Sequence, residues 1–478
     1  MIGLGVLVLC RLIWVGDIPY GNDDSQLFLQ AINDAQNHIF TSHGLLGSRG
    51  MNYGPFAIWT YRIGLFFTRD LIALATFRVF ITSLIIAFSI GLMAYSSPFL
   101  IPSLGVIGLL SPYLWLYGRD LWDNSYVIPL SGVAIACYLY FCQKKSKAAI
   151  FVSLMASVFG ILTHLVYLPV ALGLMIHFLG YQRDWLKKNI PFALVSLGVG
   201  SVTLLPYVVH LLSERKSFSS GGVSPNLGHL LMPFLGPRFF TALGIEHFTG
   251  KDWYQMFPSQ PILNGIWIFL ICLSALAYLF AWYGMFLSFK EVLIHFRSEK
   301  RHDERTKQFD VCFIVVCIFV IELGLSFYLR LIPVPNFYSP FWLVFLFFLW
   351  FGLSHVWDQK PTKALFICIS VSLLVGLSGL VLRLHVYQGN RWNHYGPTLK
   401  NLWVIAREIE QISPQARVES DTFHLSRFPL MMESLRMIVR PTVLNPSNHE
   451  EVLIKIKYAQ PNEPLSGELM LLGERVRD

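Results

Sequence analysis

Charge is scarce in this chain. Only 14% of its 478 residues are Asp, Glu, Lys or Arg, while 54% are hydrophobic. A soluble domain carries about 25% charged residues, so a soluble globular or disordered chain is excluded. Cysteine is sparse too, and placed wrongly for disulfides. All seven, Cys10, Cys137, Cys142, Cys272, Cys312, Cys317 and Cys368, fall in or at the ends of apolar runs, which argues against a disulfide framework or a thiolate metal site. The runs show no period-two alternation, so a β-barrel is excluded. The first apolar stretch has no basic leader and no small-residue cleavage site, and Arg11 interrupts it. It is expected to be an uncleaved first span rather than a signal peptide.

What the chain has is long apolar runs. At about 20 residues per membrane crossing, spans are expected near residues 2–16, 71–95, 98–117, 125–142, 148–163, 165–180, 190–212, 262–289, 309–330, 338–357 and 362–384. The expected fold is therefore an all-α polytopic membrane module of about eleven helices over residues 1–384.

Lys and Arg concentrate in the connections 143–147, 181–188, 290–308 and 359–363 and are sparser in the complementary ones. The positive-inside tendency makes the first set cytoplasmic. The N-terminus is then inside, and the loops 17–70 and 213–261, with the tail from 385, are outside. A net charge of +8 comes largely from the cytoplasmic loops, where topology and anionic lipid account for it; no nucleic-acid partner is expected. The tail turns soluble in composition, with a helix expected over 397–411 and a strand over 416–420. Residues 385–478 are read as a small α/β extramembrane domain.

Chemistry is expected in the outer segments. The first loop carries Asp23-Asp24, a helical stretch to about His38, a Gly-rich turn at 44–50, Tyr53-Gly54-Pro55, and an apolar stretch 55–67. That stretch is too short to span and contains Arg62, so it is placed as an interfacial helix. Acids opening a helix also serve as caps. Equally, a carboxylate just past the first span can take a proton from an acceptor hydroxyl beside the membrane. The stretch Arg119-Asp120-Leu121-Trp122-Asp123-Asn124, flanked by Trp115 and Tyr117, is either a solvated hairpin or a polar cleft. The second long loop, around Phe234 to Phe240, can cover a substrate or merely wet the outer face; loops longer than about 12–15 residues lean functional.

In order and spacing, Asp23-Asp24, Tyr53-Gly54-Pro55, Arg78, Ser111-Pro112 with Arg119-Asp120, and Thr163-His164 resemble blocks of the GT-C superfamily of polyprenyl-phosphate-sugar-dependent glycosyltransferases. The likeness is to its protein O-mannosyltransferase and aminoarabinose transferase branch, and it covers roughly residues 1–180. Beyond that it rests on span pattern and on Pro335-Asn336-Phe337-Tyr338-Ser339-Pro340. The resemblance implies an inverting sugar transfer on the outer face, from a polyprenyl-phosphate-linked donor to a lipid, glycan or protein acceptor, in a bacterial inner membrane with a periplasmic site. It implies Asp23 as base with Asp24 close behind, Arg119 on the leaving phosphate, and Asp120, Asp123, Arg78, Tyr53 and Tyr338 on donor phosphate or sugar.

The sequence departs from that pattern in two places. A usual His before the Pro is replaced by Tyr53-Gly54, and a late Arg-Tyr element by Asn336-Phe337-Tyr338, which leaves Arg330, Arg383 or Arg391 as substitutes. The scatter of His38, His43, His164, His229 and His247 has no metal-ligand spacing, although a divalent ion on Asp23, Asp24 and some of these is a further option. A secondary transporter predicts inverted repeats with helices interrupted at the midplane, and the polar features here gather at one face instead. An O-antigen-type ligase or polymerase carries its large loop late in the chain.

Overall fold

The computed structural model describes residues 2–47, 50–96, 108–214, 234, 240, 260–297, 307–329, 335–356, 360–387, 398–412, 417–420, 435–436 and 453–456. It is helical apart from one pair of short strands. In chain order the helices are α1 (Ile2–Leu12), α2 (Asn22–Gln36), α3 (Phe56–Phe67), α4 (Leu71–Ser96), α5 (Gly108–Leu110), α6 (Pro112–Tyr117), α7 (Asn124–Lys144), α8 (Lys147–Thr163), α9 (Leu168–Tyr181), α10 (Arg183–Lys188) and α11 (Ile190–Glu214). Then follow α12 (Pro261–Leu273), α13 (Ala275–Arg297), α14 (Lys307–Leu329), α15 (Trp342–Ser354), α16 (Lys360–Tyr387) and α17 (Leu399–Ile412).

Among the described residues six helical stretches are long and apolar enough to cross a membrane: Leu71–Ser96, Asn124–Lys144, Ile190–Glu214, Pro261–Arg297, Gln308–Tyr328 and Lys363–Leu382. Their outward faces are what lipid requires. Leu194, Val195, Leu197, Val202, Leu205 and Leu212 of α11 are all exposed, an apolar face that water would oppose and hydrocarbon accepts. Shorter apolar helices, α8 and the segments 165–181 and 338–354, lie where further spans are expected.

Three expected spans differ in detail. The first helix stops at Leu12 instead of running to 16, because Trp14 takes a left-handed backbone (φ 47°) and a 3-10 turn, Val15–Asp17, follows. In the described half of 98–117 the helix breaks at Ser111, whose hydroxyl caps α6 with Pro112 at its first position. Both are standard helix-start devices. The single helix expected over 262–289 is divided at Ser274 into α12 and α13, and α13 runs on to Arg297. Lys290 and Arg297 are thus helical rather than loop residues.

The membrane core is held by close helix crossings. Helices α13 and α15 meet at Gly284 and Gly352: a Cβ on Gly284 would overlap the Phe348 carbonyl, and one on Gly352 the Phe280 carbonyl. Where lipid removes the hydrophobic drive between helices, small residues that let backbones touch supply the packing. Trp342, fully buried at the start of α15, donates its indole N–H to the Ile128 carbonyl of α7 at 2.9 Å.

A second core lies at one end of the bundle, joining α2, α3, the start of α4 and α17 through Tyr20, Phe28, Tyr61, Leu71 and Leu74. Here α17 buries Leu399, Leu402, Trp403 and Ala406, with each large apolar side chain contributing about 1.5–3 kcal/mol. The Leu399 amide bonds the Ile18 carbonyl at 2.8 Å, and Thr398 bridges Pro19. The segment after the last long helix is thereby tied to the first loop. The expected helix over 397–411 and strand over 416–420 correspond to α17 and to β1 (Arg417–Ser420), which pairs in parallel with β2 (Leu453–Ile456).

Replacing Gly284 with Val should push α13 from α15 and lower the thermal midpoint in detergent, since overpacking costs about 1–3 kcal/mol. An unchanged midpoint would mean that the two backbones are not in contact.

Candidate functional site

Several buried polar side chains converge where the end of α1, the start of α2, the first turns of α4 and the α6–α7 turn meet. The turn is built first. Arg78, buried one and a half to two turns into α4, donates to the carbonyls of Arg119 (3.1 Å) and Asp120, and its guanidinium lies 4.3 Å from the Tyr126 ring centre. Tyr61 of α3 donates to the Leu121 carbonyl, and Thr60 bonds the Tyr126 hydroxyl at 2.8 Å. Asp123 caps α7 by accepting the Asn124 amide at 2.7 Å. The segment 119–125 is buried throughout except for half-buried Trp122. It is a buried turn and not a solvated hairpin.

Two more arginines close the arrangement. Arg119, fully buried, donates from Nη2 to the carbonyls of Ile13 (2.8 Å) and Trp14 (2.7 Å) and lies 3.7 Å over Trp115. Arg11 donates to Ser83 Oγ at 2.8 Å and to the Leu114 carbonyl at 2.5 Å. Sequence reasoning passed over Arg11 as an interruption of the first span. An ionisable side chain inside an apolar helix was the available signal.

On the acidic side, Asp24 stands third in α2 and accepts the Gly21 amide through Oδ2 at 2.6 Å, a capping-box bond. The capping account of this pair is therefore correct for one oxygen of Asp24. Asp23 is half-buried and near enough to Asp24, Asp120 and Asp123 to act on each electrostatically. Asp17, beyond α1, bonds His385 at 2.7 Å, and that ring stacks on Trp14 at 3.8 Å.

These buried groups carry unused hydrogen-bonding capacity. Among the described residues, Asp24 Oδ1, Asp120 Oδ1, Asp123 Oδ2, both amide atoms of Asn124, Ser125 Oγ and Trp122 Nε1 have no hydrogen-bond partner. Neither do Arg11 Nη2, Arg78 Nε and Nη2, or Arg119 Nε and Nη1. Buried polar groups are nearly always paired in native proteins, and exceptions concentrate at catalytic and ligand sites.

Burial also sets the protonation of these carboxyls. It holds the Asp24 carboxyl well above the usual carboxylate range, with the charge of Asp120 adding to the effect. Burial pushes Asp120 up to about 7 against the opposing pull of Arg78, and Asp123 up to about 8 against its bond from the Asn124 amide. Burial and the Arg11 cation both oppose charge on Arg119. A guanidinium keeps its proton in proteins, so an anion seated beside it relieves both penalties.

The remaining expected residues fall around this centre. Tyr53 lies against His164 with ring centres 3.9 Å apart and the planes tilted, on a short hairpin whose next residue, Gly54, packs so closely on the end of α8 that a Cβ would overlap the Leu162 carbonyl. Burial takes His164 down to about 3, leaving it neutral. Tyr338 is buried against Phe345 in a 3-10 segment, Pro335–Phe341, whose Ser339 bonds Tyr113 of α6 at 2.8 Å. Of the second loop, Phe240 packs on Tyr113 at 4.7 Å and accepts from Ser111 at 3.1 Å.

Arg330 and Arg391, with the side chain of Arg383, lie outside the described residues, as do His229 and His247. The described histidines do not join the carboxylates of this centre. His43 stacks on His210 at 4.0 Å, and His38 is exposed past the end of α2. Among the described residues no three of His, Cys, Asp and Glu stand in a metal-holding group, so a divalent ion on Asp23, Asp24 and His38, His43 or His164 does not fit the geometry.

Fold and site together define a helical protein with membrane-crossing helices and a buried Arg/Asp centre at one end of its bundle. In chain path it is similar to ArnT from Cupriavidus metallidurans bound to undecaprenyl phosphate, at 14% identity and a TM-score of 0.43, over 91% of this chain and 75% of that one. It is also similar to ArnT from Cupriavidus metallidurans in the apo state, at 13% identity and a TM-score of 0.40, over 96% and 86%. These likenesses say nothing of which residues react. No family model matches the sequence, and no curated protein matches it.

The raised carboxyls predict a pH dependence of stability. Folded Asp120 and Asp123 hold protons up to about 7 and 8, whereas unfolded aspartates release them near about 4. Between those limits the folded state binds more protons, so the contribution of these groups to stability is full below about 4, falls as pH rises to about 8 and levels off above it. Thermal midpoints measured from pH 5 to 9 should fall with pH, and Asp123→Asn should flatten the slope. An identical slope in the variant would show that Asp123 is ionised in the fold.

Proposed function

We propose that this chain is a membrane glycosyltransferase that moves a sugar from a polyprenyl-phosphate donor to an acceptor hydroxyl, with inversion, at the Arg/Asp centre. One observation carries this reading: buried Arg78, with unused N–H donors, lies beside Asp24 and Asp120, each with an unused oxygen, and Arg11 and Arg119, also with unused donors, follow it in a row of buried guanidiniums. Guanidinium N–H donors suit a phosphate, and in a poorly hydrated site they act more strongly than in water. The carboxyls suit sugar or acceptor hydroxyls.

In the proposed step the acceptor oxygen attacks the anomeric carbon while the carbon–oxygen bond to the phosphate breaks. The phosphate leaves with that electron pair and is neutralised by Arg119 and Arg78, with Arg11 behind them. The hydroxyl proton passes to Asp23. Asp23 suits the base better than Asp24, because Asp24 is fully buried, has one oxygen in the Gly21 cap and is held toward its protonated form. Protonated Asp24, Asp120 and Asp123 can instead donate to oxygens of the sugar.

The GT-C assignment, the placement of the site on the periplasmic face of a bacterial inner membrane, an eleven-span count, and a tail domain over 385–478 that touches the acceptor all belong to this same reading. Tyr53 and Tyr338 line the approach in it, on the His164 side and the α6 side respectively. Phe240 covers α6 from the second loop.

The test is transfer from a panel of radiolabelled polyprenyl-phosphate sugars by the purified chain in nanodiscs. Asp23→Asn should cut turnover about 10²–10⁴-fold with donor binding nearly unchanged, which marks a group used only in the transition state. Arg119→Lys keeps the charge but loses the fork, and should weaken donor binding about tenfold. Full activity in Asp23→Asn removes that residue as base. If no lipid-linked sugar binds or reacts, the glycosyltransferase reading is withdrawn in favour of transport.

A further inference from the structure

Away from the Arg/Asp centre, the C-terminal ends of α2 and α3 enclose an open groove of about 790 Å³, lined among others by Ile32, Phe40, Arg62, Ile63, Phe66 and Arg69. We propose that this groove binds the headgroup of an anionic phospholipid. The site is independent of the transferase chemistry.

Its position is the first argument. Helix α3 ends at Phe67, Arg69 follows in the short link, and α4, a membrane-crossing helix, begins at Leu71. The groove therefore opens at the mouth of a span, at headgroup depth. Phe66 and Phe67 at its edge are 86% and 78% exposed and set edge to face at 5.4 Å. A bare aromatic pair beside exposed Ile63 is unfavourable in water and favourable in the upper acyl layer, where interfacial helices bury such side chains.

Charge is the second argument. Arg62 is held in place by a bond to the Ile39 carbonyl and by its position 3.6 Å over the Phe40 ring. That leaves most of the five N–H donors of its fork for a ligand. Arg69, exposed, adds a second cation to the lining. Among the described residues, no His, Asp or Glu other than His38 lines the groove. Two arginines above an apolar floor match a phosphodiester with acyl chains below it, and match neither a zwitterionic headgroup nor a free anion as well.

The experiment is native mass spectrometry of the full chain in detergent, with equal amounts of phosphatidylglycerol and phosphatidylcholine of the same acyl length. The wild type should retain phosphatidylglycerol preferentially. Arg69→Gln, a change at an exposed side chain that should leave the fold intact, should reduce that preference about fivefold, as expected for one basic residue near an anionic lipid. Phe66→Ser with Phe67→Ser should lower retention of both lipids. Lys187→Gln, an exposed lysine in α10, should change nothing, and inorganic phosphate in excess should not displace the bound lipid. An unchanged preference in Arg69→Gln overturns the proposal, as does an equal loss in Lys187→Gln, which would signify net charge alone. Displacement by phosphate would make the groove a free-anion site and overturns it too.

Discussion

A guanidinium buried away from water must find acceptors, and the cheapest ones in a helical membrane protein are the carbonyls left over at helix ends. Arg11, Arg78 and Arg119 all satisfy this constraint in the same region. They donate to the carbonyls of Leu114, of Arg119 and Asp120, and of Ile13 and Trp14. Those carbonyls belong to the last turn of α6, to the turn after it, and to the residues just beyond α1, where helical pairing is incomplete; those of Leu114 and Trp14 also accept the amides of Gly118 and Asp17, on the second lone pair of each. Three side chains thus fasten the end of α1, the start of α4 and the approach to α7 together, and the turn 119–125 is held in a shape that its own sequence would not specify.

The same constraint leaves polar atoms of this region unused. Each arginine meets only part of its donor capacity with backbone carbonyls, and the acids opposite are used in caps by one oxygen each at Asp24 and Asp123. Low surrounding dielectric raises the cost of every unpaired atom there. A polar ligand bearing a phosphate and hydroxyls answers both signs at once, while a purely apolar ligand would answer neither. The tail strengthens the arrangement from above: His385 bonds Asp17, and α17 packs on the 3-10 turn that Arg119 also grips.

Much of this was legible in the chain itself. The boundaries of α3, α4, α7 and α11 follow apolar runs and their flanking charges within a residue or two. The pairing of Asp23-Asp24 with a helix start could be read from cap chemistry; Arg78, Arg119, Asp120 and Asp123, which the resemblance singles out, are all buried in the structure. Less legible were the breaks at Trp14, Ser111 and Ser274. A hydrophobic window averages over a single turn residue, and a 3-10 turn costs it nothing. Arg11 was missed because its partners, Ser83 and Leu114, lie 72 and 103 residues away. The histidines showed no metal-ligand spacing in the sequence, and of the described ones His43 and His164 pack on rings while His38 is exposed.

Composition determined by itself that the chain enters lipid, because 14% charge cannot cover 478 residues in water. Spacing determined where its helices run, because hydrocarbon tolerates no unpaired backbone and a span has a fixed length. Only the tertiary structure decided which charges are buried together. Whether Arg119 sits on a solvated hairpin or in a buried turn depends on Trp115 beneath it, on the end of α1 beside it and on α17 packed over the same first loop. Those neighbours come from opposite ends of the chain, and burial is a property of what is packed around a residue, which no local pattern records.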